Sequence, residues 1–352
     1  MAVNNKKDNK IKKRRRKIVL MIGVLFLVAA SVFLSVISTP RLINSTGLLC
    51  IITATVLFTC ALFLWAPVLI IFSGVMSFLI TFFVSGDIVS AAASLAYIIS
   101  GSFIYFNAKS KKKRTQIVVK VICALSIYHV LLIVLYMMLS AGGFSANVVS
   151  DAVDAWLENA AEAVLHSGYI GEADIPAFVM YGKAFMPALF IAYASVIAYF
   201  STAFFKVFHN IIIPVAYPKR NRIPSKYWRI HISSVSAVIM IIAPFLMLIL
   251  SHQHFFFPSV VTANIVIILA PGFFIMGIYT LYDKTFRKKP KLLAVILLAC
   301  IVPAALYVPL APHTLGIIFI SVGVYAALID DMRKFREKVR KAMFGSDDDF
   351  NY

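Results

Sequence analysis

Residues 6–37 read KKDNKIKKRRRKIVLMIGVLFLVAASVFLSVI. A run crowded with bases, from Lys6 to Lys17, gives way at Ile18 to an apolar stretch with no charge before Arg41. About 20 apolar residues in a helix cross the 30 Å hydrocarbon core of a bilayer. A basic flank marks the cytoplasmic end of such a segment. A signal peptide shares this layout. The apolar run is too long for that, however, and no small-x-small cleavage site follows it. We read it as an uncleaved anchor.

The rest of the chain repeats the pattern. Of 352 residues, 61% are hydrophobic and 14% charged, against about a quarter charged in soluble domains. Length alone suggests about two soluble domains; composition replaces that with a polytopic membrane protein. Collagen-like, disordered, disulfide-scaffold and soluble α/β readings are excluded on the same ground.

We read ten apolar segments: 18–37, 47–65, 68–84, 88–106, 117–139, 184–205, 232–250, 260–282, 292–308 and 314–329. The expected fold is an all-α polytopic bundle of about ten spans with both termini inside. Eight is the alternative, if the second and third segments, parted only by Ala66–Pro67, are re-entrant. The organisation is a basic tail 1–17, a transmembrane domain 18–329 and a C-terminal tail 330–352. The transmembrane domain carries an outer amphipathic loop 140–178 and an inner basic loop 206–231.

The net charge is +19. In a soluble protein this suggests nucleic acid. Here all the bases except Arg41 and Lys183 cluster between apolar runs, so topology and attraction to anionic inner-leaflet lipid explain them. No nucleic-acid partner is expected. The acids Asp87, Asp151, Asp154, Glu158, Glu162, Glu172 and Asp174 fall in the outer loops. In the longest of these, Val149, Val153, Trp156, Leu157, Ala160, Ala161, Val164 and Leu165 recur at helical spacing opposite acids. They predict an amphipathic helix capped by Ser150. In the inner loop, Pro214, Pro218 and Pro224 are read as breaks.

Ionisable residues inside a membrane are costly and usually functional. The ten segments hold no Asp, Glu, Lys or Arg well inside them. Carboxylate-coupled antiport, voltage sensing and intramembrane aspartyl catalysis therefore lack their residues. His129 lies deep in a span without a partner at ligand spacing. Cys50, Cys60, Cys123 and Cys300 lack CxxC spacing and read as small hydrophobes. His252 and His254 lack further ligands. No Walker, GxGxxG, HExxH or GxSxG motif occurs. Neither metal nor cofactor is implied. Any active transport would take its energy from a gradient or another subunit.

Three features remain as candidate sites. Pro271, Gly272 and Gly277 interrupt the eighth segment, Pro303 and Pro309 the ninth, and Gly316 and Gly323 the tenth. Together with Asn264 they would line a ligand cavity if the helices are broken there. Ala92 and Ala96 have small-xxx-small spacing and are the candidate face for a membrane-protein partner, with packing inside the chain as the plainer reading. Asp330 and Arg336 would pair at the inner end of the last span.

From about residue 108 to 341 the series Met186–Pro187, Arg222–Ile223–Pro224 with Tyr227–Trp228–Arg229, Asn264 with Gly277, and Ala327–Leu328–Ile329–Asp330 with Phe335–Arg336 resembles the YybS-like family of bacterial integral membrane proteins. Ala327 stands where that family usually has glycine, and Pro224 precedes Trp228 where it tends to place the aromatic first. The resemblance implies a bacterial inner-membrane protein of unknown role. Some members are distantly similar to substrate-binding components of energy-coupling-factor vitamin transporters. Expected functions, in order, are a small-solute-binding transport-type protein that leans on a partner for energy, an envelope scaffold acting through helix contacts, and a lipid-modifying enzyme using His129, His209 or loop carboxylates. The last lacks a converging acid–base set, so a non-enzyme is expected.

Overall fold

The computed structural model describes residues 2–38, 45–140, 171–216, 230–252, 256–281 and 310–344, and scattered positions between 151 and 165. Every regular element among them is helical: α1 Ala2–Ser38, α2 Ser45–Leu64, α3 Leu69–Ser85, α4 Ile88–Ala93, α5 Ala96–Lys109, α6 Arg114–Ser140, α7 Ile175–Ala216, α8 Ser234–His252, α9 Phe256–Leu281 and α10 Leu310–Phe344. Among the described residues, six stretches are long and apolar enough to cross a membrane: Ile18–Ser38, Thr46–Leu64, Ile88–Lys109, Arg114–Tyr136, Glu172–Ile212 and Phe257–Leu281. Leu69–Ser85 and Ser234–Leu250 are apolar but shorter. The ninth expected segment, with Pro303, lies outside the described residues, and the tenth falls within α10.

Helix ends follow local chemistry. Pro67 lacks an N–H, so the α2 ladder cannot continue through it. Leu69 N–H then donates to Ala66 O at 3.3 Å and Ile70 N–H to Pro67 O at 2.9 Å. The second and third segments are thus separate helices. Gly86 ends α3 with φ +67° and donates to Phe82 O at 2.8 Å, a left-handed cap that glycine adopts without a Cβ clash.

Some expected boundaries are corrected. Inner-loop residues 206–216 are helical, because α7 runs on through Pro214 to Ala216. Residues 175–178 of the expected outer loop begin the same helix, after a 3₁₀ turn at Glu172–Asp174. The described positions between 151 and 165 are helical, with Leu157 and Ala161 buried and Asp151, Glu158 and Glu162 exposed, as the apolar periodicity predicts.

The chain divides into two compact units, Met1–Val179 with Tyr193–Arg229, and Met180–Ala192 with Ile230–Tyr352. The first unit packs Phe58, Tyr97, Ile104, Leu125, Ile197 and Phe205 in its interior. Its helix α3 is inverted relative to a water-soluble helix. Ile71 and Phe83 are 72% and 81% exposed, while Ser73 and Ser77 are fully buried and Thr81 is 2% exposed. Water would drive those apolar side chains inward. Hydrocarbon exerts no such force, and interiors there are built from small and hydroxyl residues.

The second unit is centred on α8, α9 and α10, with Ala237, Phe273, Met276 and Ala327 in its core. The closest helix approach there is glycine-made. A Cβ built on Gly277 would fall 1.8 Å from Phe319 O, and one on Gly323 2.0 Å from Phe273 O. The two backbones therefore touch directly.

At one end of this unit Asp331 joins two helices. Its Oδ2 accepts from Ser234 N–H, in the first turn of α8, at 2.8 Å. Its Oδ1 lies 3.3 Å from His231 Nε2 and 3.4 Å from Lys334 Nζ. The Ser234 hydrogen bonds, chiefly from the backbone N–H, pull the Asp331 carboxyl down to about 2, helped by Lys334 and His231. A carboxyl that binds protons more weakly when folded contributes stability above its unfolded pKa, about 4, and loses it as pH falls toward the folded value. Thermal unfolding scanned from pH 5 to pH 2 is expected to show this loss in the native chain. Asp331→Asn should remove that part of the acid dependence, and an unchanged profile would exclude the link.

Candidate functional site

The fourth apolar segment is not one helix. Asp87 starts α4 by accepting from Val89 N–H at 3.1 Å and Ser90 N–H at 2.7 Å, an N-cap that satisfies two free amides. Slight burial raises its carboxyl, but the hydrogen bonds from Ser90 and Val89 outweigh that and hold it below the ordinary value. After six residues α4 stops at Ala93, and α5 resumes at Ala96. Leu95 N–H reaches back to Ala92 O at 2.9 Å and Ile98 N–H to Leu95 O at 3.0 Å, the tighter three-residue spacing.

A break inside hydrocarbon survives only where its polar backbone finds partners. Here hydroxyls supply them. Ser94 Oγ donates to Ala91 O at 2.7 Å, Ser35 Oγ to Ser94 O at 2.5 Å, and the Tyr128 hydroxyl to Ala92 O. The hydroxyl lining extends along the neighbouring helices. Ser77 Oγ and the Tyr97 hydroxyl are 2.7 Å apart, Thr55 Oγ1 and Ser100 Oγ 3.1 Å, and Thr59 Oγ1 donates to Thr55 O at 2.6 Å. Ser31, Ser35 and Ser38 form a buried stripe on α1, and Ser73, Ser77 and Thr81 another on α3. Among the described residues, Ser73 Oγ and Thr81 Oγ1 are buried without a hydrogen-bond partner. An unmet buried hydroxyl costs roughly 1–3 kcal/mol; Ser102, Ser126, Tyr193 and Ser201 also carry one, and Ser73 and Thr81 are the two on the buried α3 stripe.

Such a seam offers paired donors and acceptors of no net charge. It suits the oxygens and amides of a neutral polar molecule.

At the face proposed from sequence for a membrane partner, groups of the chain itself make contacts. Ala96 is buried, the Ala92 carbonyl is taken by Tyr128, and a Cβ on Gly101 would meet Phe58 Cδ1 at 2.7 Å. Small residues there admit the chain's own helices. Of the residues expected to line a cavity, Pro303 lies outside the described residues. Helix α9 runs unbroken through Pro271, Gly272 is buried, and Gly277 serves the crossing with α10. Gly316 lies within α10 with nothing within 4 Å of its Cβ position. Asn264 alone keeps a polar role: Nδ2 donates to Ala184 O at 3.0 Å, and Oδ1 is buried without a partner among the described residues. Ala184 sits three residues before Pro187, whose missing N–H loosens the α7 ladder there. The Asp330–Arg336 pair does not form. Six residues on a continuous helix place the two about 240° apart around the axis, both are exposed, and the adjacent Asp331 makes the contacts instead.

The histidines do not converge. His129 packs edge-on to Tyr193 at 5.5 Å, and His209 lies between Phe63 and Phe205 at 5.1 and 5.4 Å. Tyr193 and His209, both on α7, are about 24 Å apart along its axis. No group of three metal-ligating side chains occurs among the described residues.

Sequence reasoning missed two features. The Ser73–Ser77–Thr81 spacing of four was legible but gave no sign of pointing inward. Arg114 was assigned to a basic loop; it is 3% exposed, with Nε donating to Thr202 Oγ1 at 3.0 Å and Nη2 to Tyr199 O at 2.8 Å. Nothing in the run Lys111–Arg114 distinguishes its last base from the others.

No family model, curated protein or solved structure matches this chain.

Proposed function

We propose that the chain is an integral membrane protein of the bacterial cytoplasmic membrane, with both termini on the cytoplasmic side. In this reading its first unit binds a small neutral polar solute in the hydroxyl seam beside the α4–α5 break. Transport would draw its energy from a partner, since the sequence carries no nucleotide-binding loop and no carboxylate well inside an apolar segment. The observation that carries the reading is the pair of orphaned hydroxyls, Ser73 and Thr81, in a seam whose other hydroxyls are paired. The basic clusters that precede α10 would hold anionic lipid at the inner leaflet. The YybS-like resemblance rests on the four stretches quoted above and is part of the proposal. The scaffold alternative keeps the helix contacts but loses Ala92 and Ala96 as its free face.

The test is native mass spectrometry of the full chain extracted gently from its own membrane, beside the double variant Ser73→Ala/Thr81→Val. A stoichiometric small molecule is expected on the native chain, retained at least about tenfold less by the variant. The solute-free variant should melt no lower, and up to about 2 kcal/mol more stably, because two uncompensated buried hydroxyls are gone. A variant that binds normally, a native chain that carries no solute, or a clear loss of stability in the variant would each defeat this reading.

A further inference from the structure

The last helix is longer than any bundle role requires. Residues 310–329 of α10 contain no Asp, Glu, Lys or Arg, and at Asp331 the helix ties to the first turn of α8. It then continues without interruption to Phe344, about 20 Å further along its axis. On this extension Met332, Phe335 and Val339 share one face at spacings of three and four. Met332 and Phe335 are 55% and 68% exposed. Arg333, Lys334 and Arg336 stand exposed around them, and Asp331–Phe344 holds six bases against two acids.

We propose that this extension is a docking handle for a partner protein that presents an apolar groove rimmed with acidic side chains. It holds whether or not the first unit binds a solute. Charge complementarity selects the acidic rim, and the exposed methionine and phenylalanine are the anchors such a groove takes.

The other occupants fit less well. A membrane-surface helix lies in the plane of the headgroups, whereas this one continues the tenth apolar segment, 314–329, on one unbroken helix axis, and a segment that crosses the membrane carries its extension out along that axis. A second copy would set one basic face against another. The chain's own Asp347–Asp349 has the right sign, but it offers no apolar groove, and three exposed ion pairs return little.

The experiment installs the photo-crosslinker p-benzoylphenylalanine at Phe335 of the full chain, in its native membrane. One discrete heterologous adduct is expected, its cross-linked peptide carrying net negative charge. Arg333→Glu with Arg336→Glu should reduce it about tenfold, and reversing two acids of the partner's peptide to lysine should restore it. Both arginines are exposed, so an unchanged thermal midpoint checks that the variant is folded. An adduct of twice the chain mass, to lipid or within residues 345–352 overturns the proposal. So does a heterologous adduct indifferent to charge reversal, or no adduct at all.

Discussion

Gly277→Ala is expected to dismantle the packing of α9 on α10. The new methyl would sit 1.8 Å from Phe319 O and 2.7 Å from Phe319 C. These are backbone atoms, so no side-chain rotation relieves the clash, and the helices must part. Ordinary overpacking costs about 1–3 kcal/mol. A backbone obstruction belongs at or above the top of that range, at least about 3 kcal/mol, since separation also strips contacts from Phe273 and Met276. Gly323→Ala should behave alike, with its Cβ 2.0 Å from Phe273 O. Gly316→Ala is the control: with nothing within 4 Å it should be neutral, or more stable by about 0.5–1 kcal/mol from helix propensity. The measurement is the thermal midpoint of the detergent-solubilised chain by fluorescence-detected gel filtration. Equal midpoints for Gly277→Ala and Gly316→Ala would show that the crossing is not as tight as described.

Arg114→Met is expected to weaken the first unit by about 3 kcal/mol. The guanidinium is buried and spans two acceptors on α7, Tyr199 O and Thr202 Oγ1. Hydrogen bonds from a charged donor are worth about 1.5–3 kcal/mol each, and the stranded acceptors add to the loss. Thr202 Oγ1 also reaches Ala198 O at 2.8 Å and Tyr199 O at 3.0 Å, so its single proton offsets only part of the change. Arg114→Lys should rescue little, because an ammonium on a shorter stem cannot fork between two acceptors. The exposed neighbours set the scale: Lys112→Ala should shift stability by no more than about 0.5 kcal/mol. If the methionine and Lys112→Ala variants melt together in the same assay, Arg114 is an ordinary loop base.

These two residues show where sequence reading stops. Gly277 was noticed, but as an interruption that would open a cavity. A glycine in an apolar helix is compatible with a kink, a cavity wall or a close crossing. Only the partner backbone, contributed by a segment more than forty residues away, selects among them. Arg114 shares its composition and its neighbours with four lysines, and its burial depends on where α7 passes. The Ala92–Ala96 spacing permits close helix approach. Whether the approaching helix belongs to this chain or another is a tertiary question, answered by Ser35, Phe58 and Tyr128. Asp330 and Asp331 differ by 100° around one helix axis, and that rotation decides which of them meets Ser234.

The sequence by itself determined that this chain is helical and apolar, where most of its long apolar segments begin and end, and that a regular acidic and apolar alternation follows residue 150. Those properties are local: twenty consecutive side chains settle them without reference to anything distant. The tertiary structure alone decided which way each helix faces. It turned Ser73, Ser77 and Thr81 inward, split the fourth segment at Ser94–Leu95, buried Arg114 and pressed Gly277 against Gly323. In water, hydrophobicity would have told inside from outside and made those orientations readable. In a chain apolar on every face that contrast is gone, and orientation is set by hydrogen-bond partners and close backbone contact, which exist only once the helices have met.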